Sequence, residues 1–359
     1  MKIAFLTNCL ESGRDGVGDY TALLAAECER RSHATARLAL NDPFAKIDSA
    51  SANELRLASS QRWPDRVEKA RDFLAAFAPD FVSLQFVCYG FHPRGIDFLL
   101  ASRLCKIIGA RPLHLMLHEL WIGAEIGAPL KQQLLGALQH RALLGLIRTT
   151  SPRVIHTSNS AYVHLLGERG ITATRLPLFG SIPVLSAQAA PRTSDGEISF
   201  AMFGTLHPAW PPEPLFMHLR GLRKKITFTH FGRIGPGEEL WKKLAAEHGN
   251  DLQFRALGEQ SPEKIAALFS QTDFGIATTP WSLIGKSATV AAMLDHGIPV
   301  IVNRDDVRYK GMRDEPAPPL LIKMDDRLPE KILAAKRLPP QPALPRVAAA
   351  FLQALENAS

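Results

Sequence analysis

Two stretches of alternating strand-like and helix-like segments, separated by one Pro- and Ser-rich break, leave few folds open to this chain. In the first, Lys2–Leu6 reads as a strand, and a glycine-bearing loop leads to a helix around Asp19–Arg31. Arg37–Leu40 reads as a strand, Pro64–Ala76 as an amphipathic helix, Phe81–Phe86 as a strand and Gly95–Ile108 as a helix. Leu113–Leu117, Lys131–Leu146, Val154–Thr157 and Ser160–Gly167 continue as strand, helix, strand, helix. Short apolar runs between helix-length periodic segments imply a parallel sheet covered on both faces. Residues 181–196 lapse into Pro, Ala, Ser, Asp and Gly, the composition of a linker. Alternation restarts at Ile198–Phe203 and runs through Pro212–Leu222, Ile226–Phe231, Gly237–Glu247, Leu252–Ala256 and Pro262–Gln271. A strand–loop–helix–strand unit over residues 274–302 closes it; beyond Lys323 the chain turns Pro-rich and ends in a helix-like Pro345–Leu355.

The expected architecture is α/β: two doubly wound, Rossmann-like domains facing across a cleft. The first spans 1–180, a linker 181–196 and the second domain 197–325, and residues 326–359 form a return segment whose helix packs on the first domain. Ligands of such sheets sit at the carboxyl ends of the strands, and a cleft joins two such edges. A length of 359 residues suits two domains, and 46% hydrophobic with 21% charged residues suits a globular chain. The net charge of +7 is spread along the chain except for Arg220–Lys225. That balance favours anionic ligands or an acidic membrane surface, and no aromatic-interleaved basic run points to nucleic acid. Cys9, Cys28, Cys88 and Cys105 lack metal or disulfide spacing, as in a reducing compartment. MKIAFLTNCL enters a strand directly rather than forming a leader, and no apolar run reaches membrane-spanning length. The expectation is a cytoplasmic protein, with peripheral attachment to the inner membrane face as a further option.

Gly285-Lys286-Ser287 tests the phosphate-loop reading. That motif needs a glycine five positions before its second glycine, where this chain has Pro280, lacking an N–H. The strand-ending aspartate that such sites use for their metal is missing too: Ile298–Val302 runs into Asn303 and Arg304. What remains is geometry. Ser287 can cap a helix over Ala288–His296, and Gly297 suits its left-handed end. The amides at Ser287 and Ala288 would then favour an anion, with Lys286 adding a charge; the plain alternative is a capped helix beside a solvated lysine.

Four stretches resemble the two-Rossmann-domain glycosyltransferases, the GT-B fold, and within them the large family 4 type. They are "GRDGVGDY" (Gly13–Tyr20), His118-Glu119 after a strand, Phe203-Gly204-Thr205-Leu206, and "AAMLDHGIPVIV" within Gly285–Val302. The resemblance implies a transfer of sugar from a UDP- or GDP-linked donor to a glycan, lipid or small-molecule hydroxyl, with no further cofactor. It places Gly16 and Gly18 near donor phosphates or acceptor, His118 at the reaction centre, and Gly204, Thr205 and the Gly285–Ala288 loop at the donor. The chain departs from the pattern where that family has two glutamates around its last loop; Ile284 and Ala292 stand there. The family's Arg after the second domain's glycine is Thr205, and its Lys a turn later falls near Trp210. Lys286 and Arg233 are the replacement charges. The chain is then a divergent transferase or a GT-B module without catalysis; a nucleotide-sugar 2-epimerase shares the fold but usually needs carboxylates with no counterpart here.

Single residues carry paired readings. His118, at a strand end, suits a sugar hydroxyl or developing charge, or is a satisfied structural histidine. Glu119 and Asp19 are the nearest carboxylates for deprotonating an acceptor, though Asp19 also suits capping the first helix. Gly16 and Gly18 read as loop glycines. Thr278 and Thr279 are strand-end hydroxyls or, the favoured reading, β-branched filler. Trp210 is an aromatic wall for a sugar or a staple before the next helix. Histidines without ligand spacing, and Asp305-Asp306 and Asp325-Asp326 in polar turns, predict no metal site.

Overall fold

The computed structural model describes residues 1–184, 196–313 and 318–358. Most of the expected linker, residues 185–195, lies outside the described residues. The chain forms two compact units: Met1–Pro177 with Leu344–Ser359, and Leu178–Ala343.

The first unit contains β1 (Lys2–Thr7), α1 (Gly16–Arg30), β2 (Ala34–Asp42), β3 (Ser49–Ala50), β4 (Glu54–Ala58), α2 (Trp63–Phe77) and β5 (Phe81–Phe86). It continues with α3 (Leu100–Ile108), β6 (Leu113–Leu117), α4 (Leu130–Thr150), β7 (Val154–Thr157), α5 (Ser160–Gly167) and β8 (Thr174–Arg175). Its sheet order is β3-β4-β2-β1-β5-β6-β7-β8, with only β3 antiparallel to its neighbour. The second unit has β9 (Glu197–Phe203), α6 (Glu213–Gly221), β10 (Lys225–Phe231), α7 (Glu238–His248), β11 (Gln253–Ala256) and α8 (Pro262–Ser270). After these come β12 (Phe274–Ala277), α9 (Ala288–Asp295), β13 (Val300–Val302), β14 (Leu321–Lys323) and α10 (Leu328–Ala334); α11 (Leu344–Glu356) joins the first unit. The second sheet runs β11-β10-β9-β12-β13-β14, all parallel. Setting β3 aside, both sheets follow the doubly wound order, so the chain direction switches between β1 and β5 and between β9 and β12.

Burial explains the apolar runs. Every residue of β5 and of β6 is buried, as expected of parallel strands covered on both faces. In the second unit one face packs Phe200, Phe216, Phe228 and Trp241 with Leu328 and Ile332 of α10. The other packs Phe231, Phe269, Val290 and Met293. The segment 326–343, expected to return to the first domain, therefore belongs to the second unit, because Leu328 and Ile332 complete its core.

Several element ends differ from expectation for local reasons. Asp15, not Asp19, caps α1: its carboxylate accepts from Val17 N at 2.8 Å and Gly18 N at 2.9 Å. Gly16 and Gly18 are thus first-turn helix residues rather than loop residues. A Cβ on Gly18 would lie 2.7 Å from the Cys9 carbonyl oxygen, so glycine lets the helix approach β1's exit. Gly95–Leu99 stay outside α3; Gly95 has φ +67° and donates its N–H to His92 O at 2.8 Å. Trp210 is 2% exposed and donates its indole N–H to Asn303 Oδ1 at 2.6 Å, so it is a core residue and no sugar wall.

Candidate functional site

The second unit gathers hydroxyls at its switch point. After β9, Gly204 turns the chain with φ +79°, a conformation that costs any other residue. A Cβ there would meet Thr289 Cγ2 at 2.7 Å, so the Gly204 turn and the first turn of α9 are in van der Waals contact only because the side chain is missing. A shallow pocket open to solvent lies here, bounded by Gly204, Thr205, Thr278, Thr279 and Thr289, with His230 beneath. Thr278 Oγ1 donates to Thr205 O at 3.3 Å, tying β12's exit to β9's exit. His230 is buried and its Nε2–H donates to Gly204 O at 2.7 Å; burial pulls its pKa down while that bond opposes the shift.

Ser287 caps α9 as its position suggests, accepting from Val290 N at 3.3 Å, and Thr289 Oγ1 lies 3.0 Å from Ser287 Oγ. Gly297 ends the helix segment with φ +69°. Gly285 and Lys286 close a short 3-10 turn, Trp281–Lys286, that delivers the chain to the cap. Arg233 is exposed and pairs with Glu259 at 3.5 Å. Arg304 is 7% exposed; it is held by Asp306 at 2.8 Å and donates Nη1–H to Thr278 O at 3.3 Å. The pocket thus joins Gly204 and Thr205 to the α9 terminus, while Gly285, Lys286, Ser287, Ala288 and Arg233 belong to flanking segments rather than its lining. Thr278 and Thr279, read as filler, line it, and Thr289 and Arg304 were not singled out. The available signal was hydroxyl-bearing and cationic residues immediately after strands.

In the first unit, His118 follows β6. It is 8% exposed, its Nε2 lies 2.9 Å from Gln85 Oε1, and its ring meets the Tyr20 ring edge-on at 5.0 Å. Burial pushes its pKa down to about 3, so the ring is neutral near pH 7. Asp19 neighbours Tyr20 and accepts from Gly13 N at 3.0 Å; burial raises its carboxyl, with Asp15 adding to the rise. Glu119 turns into a separate pocket with Cys88, Trp121 and Gln139, and its charge helps raise the Cys88 thiol, though burial is the larger cause there. Among the described residues no group of three or more His, Cys, Asp or Glu is placed to hold a metal, and no helix is long and apolar enough to cross a membrane.

Several solved structures have a similar fold. Anabaena Alr3699/HepE, in complex with UDP and glucose, is similar at TM-score 0.60 and 14% identity, over 99% of this chain and 100% of that one. The lipopolysaccharide outer core galactosyltransferase WaaB, in its apo form, is similar at TM-score 0.59 and 15% identity, over 100% and 99% of the two chains. The fold is GT-B. Sucrose-phosphate synthase from Thermosynechococcus elongatus shares it at TM-score 0.58 and 13% identity, over 100% and 96%. No family model and no curated protein sequence matches the chain. At such low identity the GT-B fold is kept by burial and topology, so the site must be argued from these residues alone. Ala292 is fully buried against Gly180 and cannot contact a ligand.

Proposed function

We propose that the protein is a glycosyltransferase that moves a sugar from a UDP- or GDP-linked donor to a hydroxyl acceptor without a metal ion. The observation carrying this reading is the hydroxyl-lined pocket at the second unit's switch point, where the Gly204 turn, Thr278, Thr279 and the α9 terminus converge. That setting suits a diphosphate: helix amides and hydroxyls donate to it, and no described carboxylate lines the pocket to repel it. Lys286 and Arg233 supply countercharge as the leaving diphosphate gains negative charge. His118 contacts the sugar or acceptor as a neutral imidazole, with Asp19 or Glu119 taking the acceptor proton.

The acceptor is a glycan, lipid or small molecule. Leu130, Leu134 and Leu138 are exposed on α4 beside Lys131, which supports contact of a cytoplasmic protein with an anionic membrane. Ala292, where the resemblance puts a glutamate, is buried, which supports one other reading, a GT-B module that binds nucleotide without catalysis. UDP release from UDP-glucose in chelator, with and without a hydroxyl acceptor, separates the two. The transferase reading expects turnover in the parent and a fall of about a hundredfold in His118→Ala at unchanged UDP affinity. Equal background release from both proteins, with UDP-glucose and with GDP-linked and other UDP-linked sugars alike, would leave the binding module.

A further inference from the structure

The hydrogen-bond chain beneath His118 has a direction. Gln85 places Oε1 2.9 Å from His118 Nε2 and Nε2 2.8 Å from Ser83 Oγ. Ser83 Oγ lies 2.8 Å from His114 Nδ1, and His114 Nε2 lies 3.0 Å from His156 Nδ1. A primary amide donates at one end and accepts at the other. With its nitrogen given to Ser83, Gln85 can only accept from His118, whose proton must sit on Nε2. Ser83, having accepted, turns its O–H toward His114 Nδ1; His114 then carries its proton on Nε2 and donates to His156. Reversing the amide would reverse every donor and move the His118 proton to Nδ1.

Register brings the five groups together. Ser83 pairs with His114 across β5 and β6, Met116 pairs with His156 across β6 and β7, and the strand period of two puts them all on one face with Gln85 and His118. Phe351 of α11 covers His114 at 5.0 Å between ring centroids. Ser83, Gln85 and His114 are fully buried, so water does not replace a lost link in the middle of the chain.

We propose that Gln85 and Ser83 are positioning residues that hold His118 in its Nε2–H tautomer, leaving Nδ1 as the ring's acceptor for a substrate hydroxyl. The substrate part rests on the role given to His118 above; the tautomer part stands without it. Burial keeps all three histidines neutral, as the chain requires. Long-range proton–nitrogen spectra of histidine-labelled protein read the tautomer directly. The parent should show His118 as a single Nε2–H form. Ser83→Ala, two links away, and Gln85→Met, of similar volume, should each shift both ring nitrogens toward mixed-tautomer values. With UDP-glucose as probe, both variants should lose about tenfold in kcat at unchanged KM. An Nδ1–H form in the parent, or an unchanged Nε2–H pattern in both variants, overturns the proposal. Absence of UDP-glucose turnover in the parent counts against the proposed function alone, because the nitrogen shifts decide the tautomer by themselves.

Discussion

Gly204 shows how much one missing side chain can fix. Its φ of +79° and its approach to Thr289 leave no room for a Cβ, because the turn after β9 passes against the first turn of α9. Gly204→Ala should cost about 1–2 kcal/mol for the left-handed backbone and push the first turn of α9 outward, weakening UDP binding. Gly221→Ala, in helix α6 with nothing within 4 Å of the added methyl, is the control and should leave UDP binding unchanged without lowering stability. Urea titration and UDP calorimetry on the two variants check this; equal UDP affinity in both would dissociate the Gly204 turn from the nucleotide. Residue-level reading of the sequence found the Ser287 cap and the left-handed Gly297 because both are local signals. It favoured filler for Thr278 and Thr279, which line the pocket, since a β-branched residue after a strand has the same local pattern whether or not a pocket lies beyond it. It missed the Ser83–Gln85–His114–His156 chain because the links join residues on three strands, and the contacts depend on register that only folding sets.

Strands buried on both faces were among the most legible elements. Phe81–Phe86, Leu113–Leu117, Val154–Thr157 and Ser160–Gly167 match their expected bounds, the first two because a strand buried on both faces is an unbroken apolar run. The edge strands β3, β8 and β14, and β4 beside β3, are short or half-exposed and carry no such run. Helix α11 was expected to return to the first unit, and it packs there through Phe351, which is fully buried 5.7 Å from the Phe5 ring. Phe351→Ala should destabilise the first unit by about 3–5 kcal/mol through the cavity it leaves. Urea unfolding followed by fluorescence measures it, and a loss below about 1 kcal/mol would mean that α11 is not part of that core.

At the scale of the whole molecule, the buried histidines set an acid limit. His114, His118 and His156 are held below the ordinary value of 6.5, His118 to about 3 and His156 to about 4, chiefly by burial. The unfolded chain therefore takes up protons that the folded chain refuses. Stability is full above about pH 6.5 and falls as pH drops toward the folded values, each histidine adding a slope of up to about 1.4 kcal/mol per pH unit. Urea midpoints at about pH 7.5 and about pH 5 should show a clear loss, and equal midpoints would contradict the buried neutral chain. The two-unit doubly wound fold was readable from alternation alone, whereas the use to which its sheet edges are put rests on the pocket beside α9. Calorimetric titration of UDP and GDP into the parent and Lys286→Ala, with chelator present, tests that most directly. The account predicts metal-free binding of one of the two nucleotides, weakened in Lys286→Ala by about 1.5–3 kcal/mol, the scale of a charge-assisted hydrogen bond. Equal affinity in parent and variant, or no binding of either nucleotide, would contradict it.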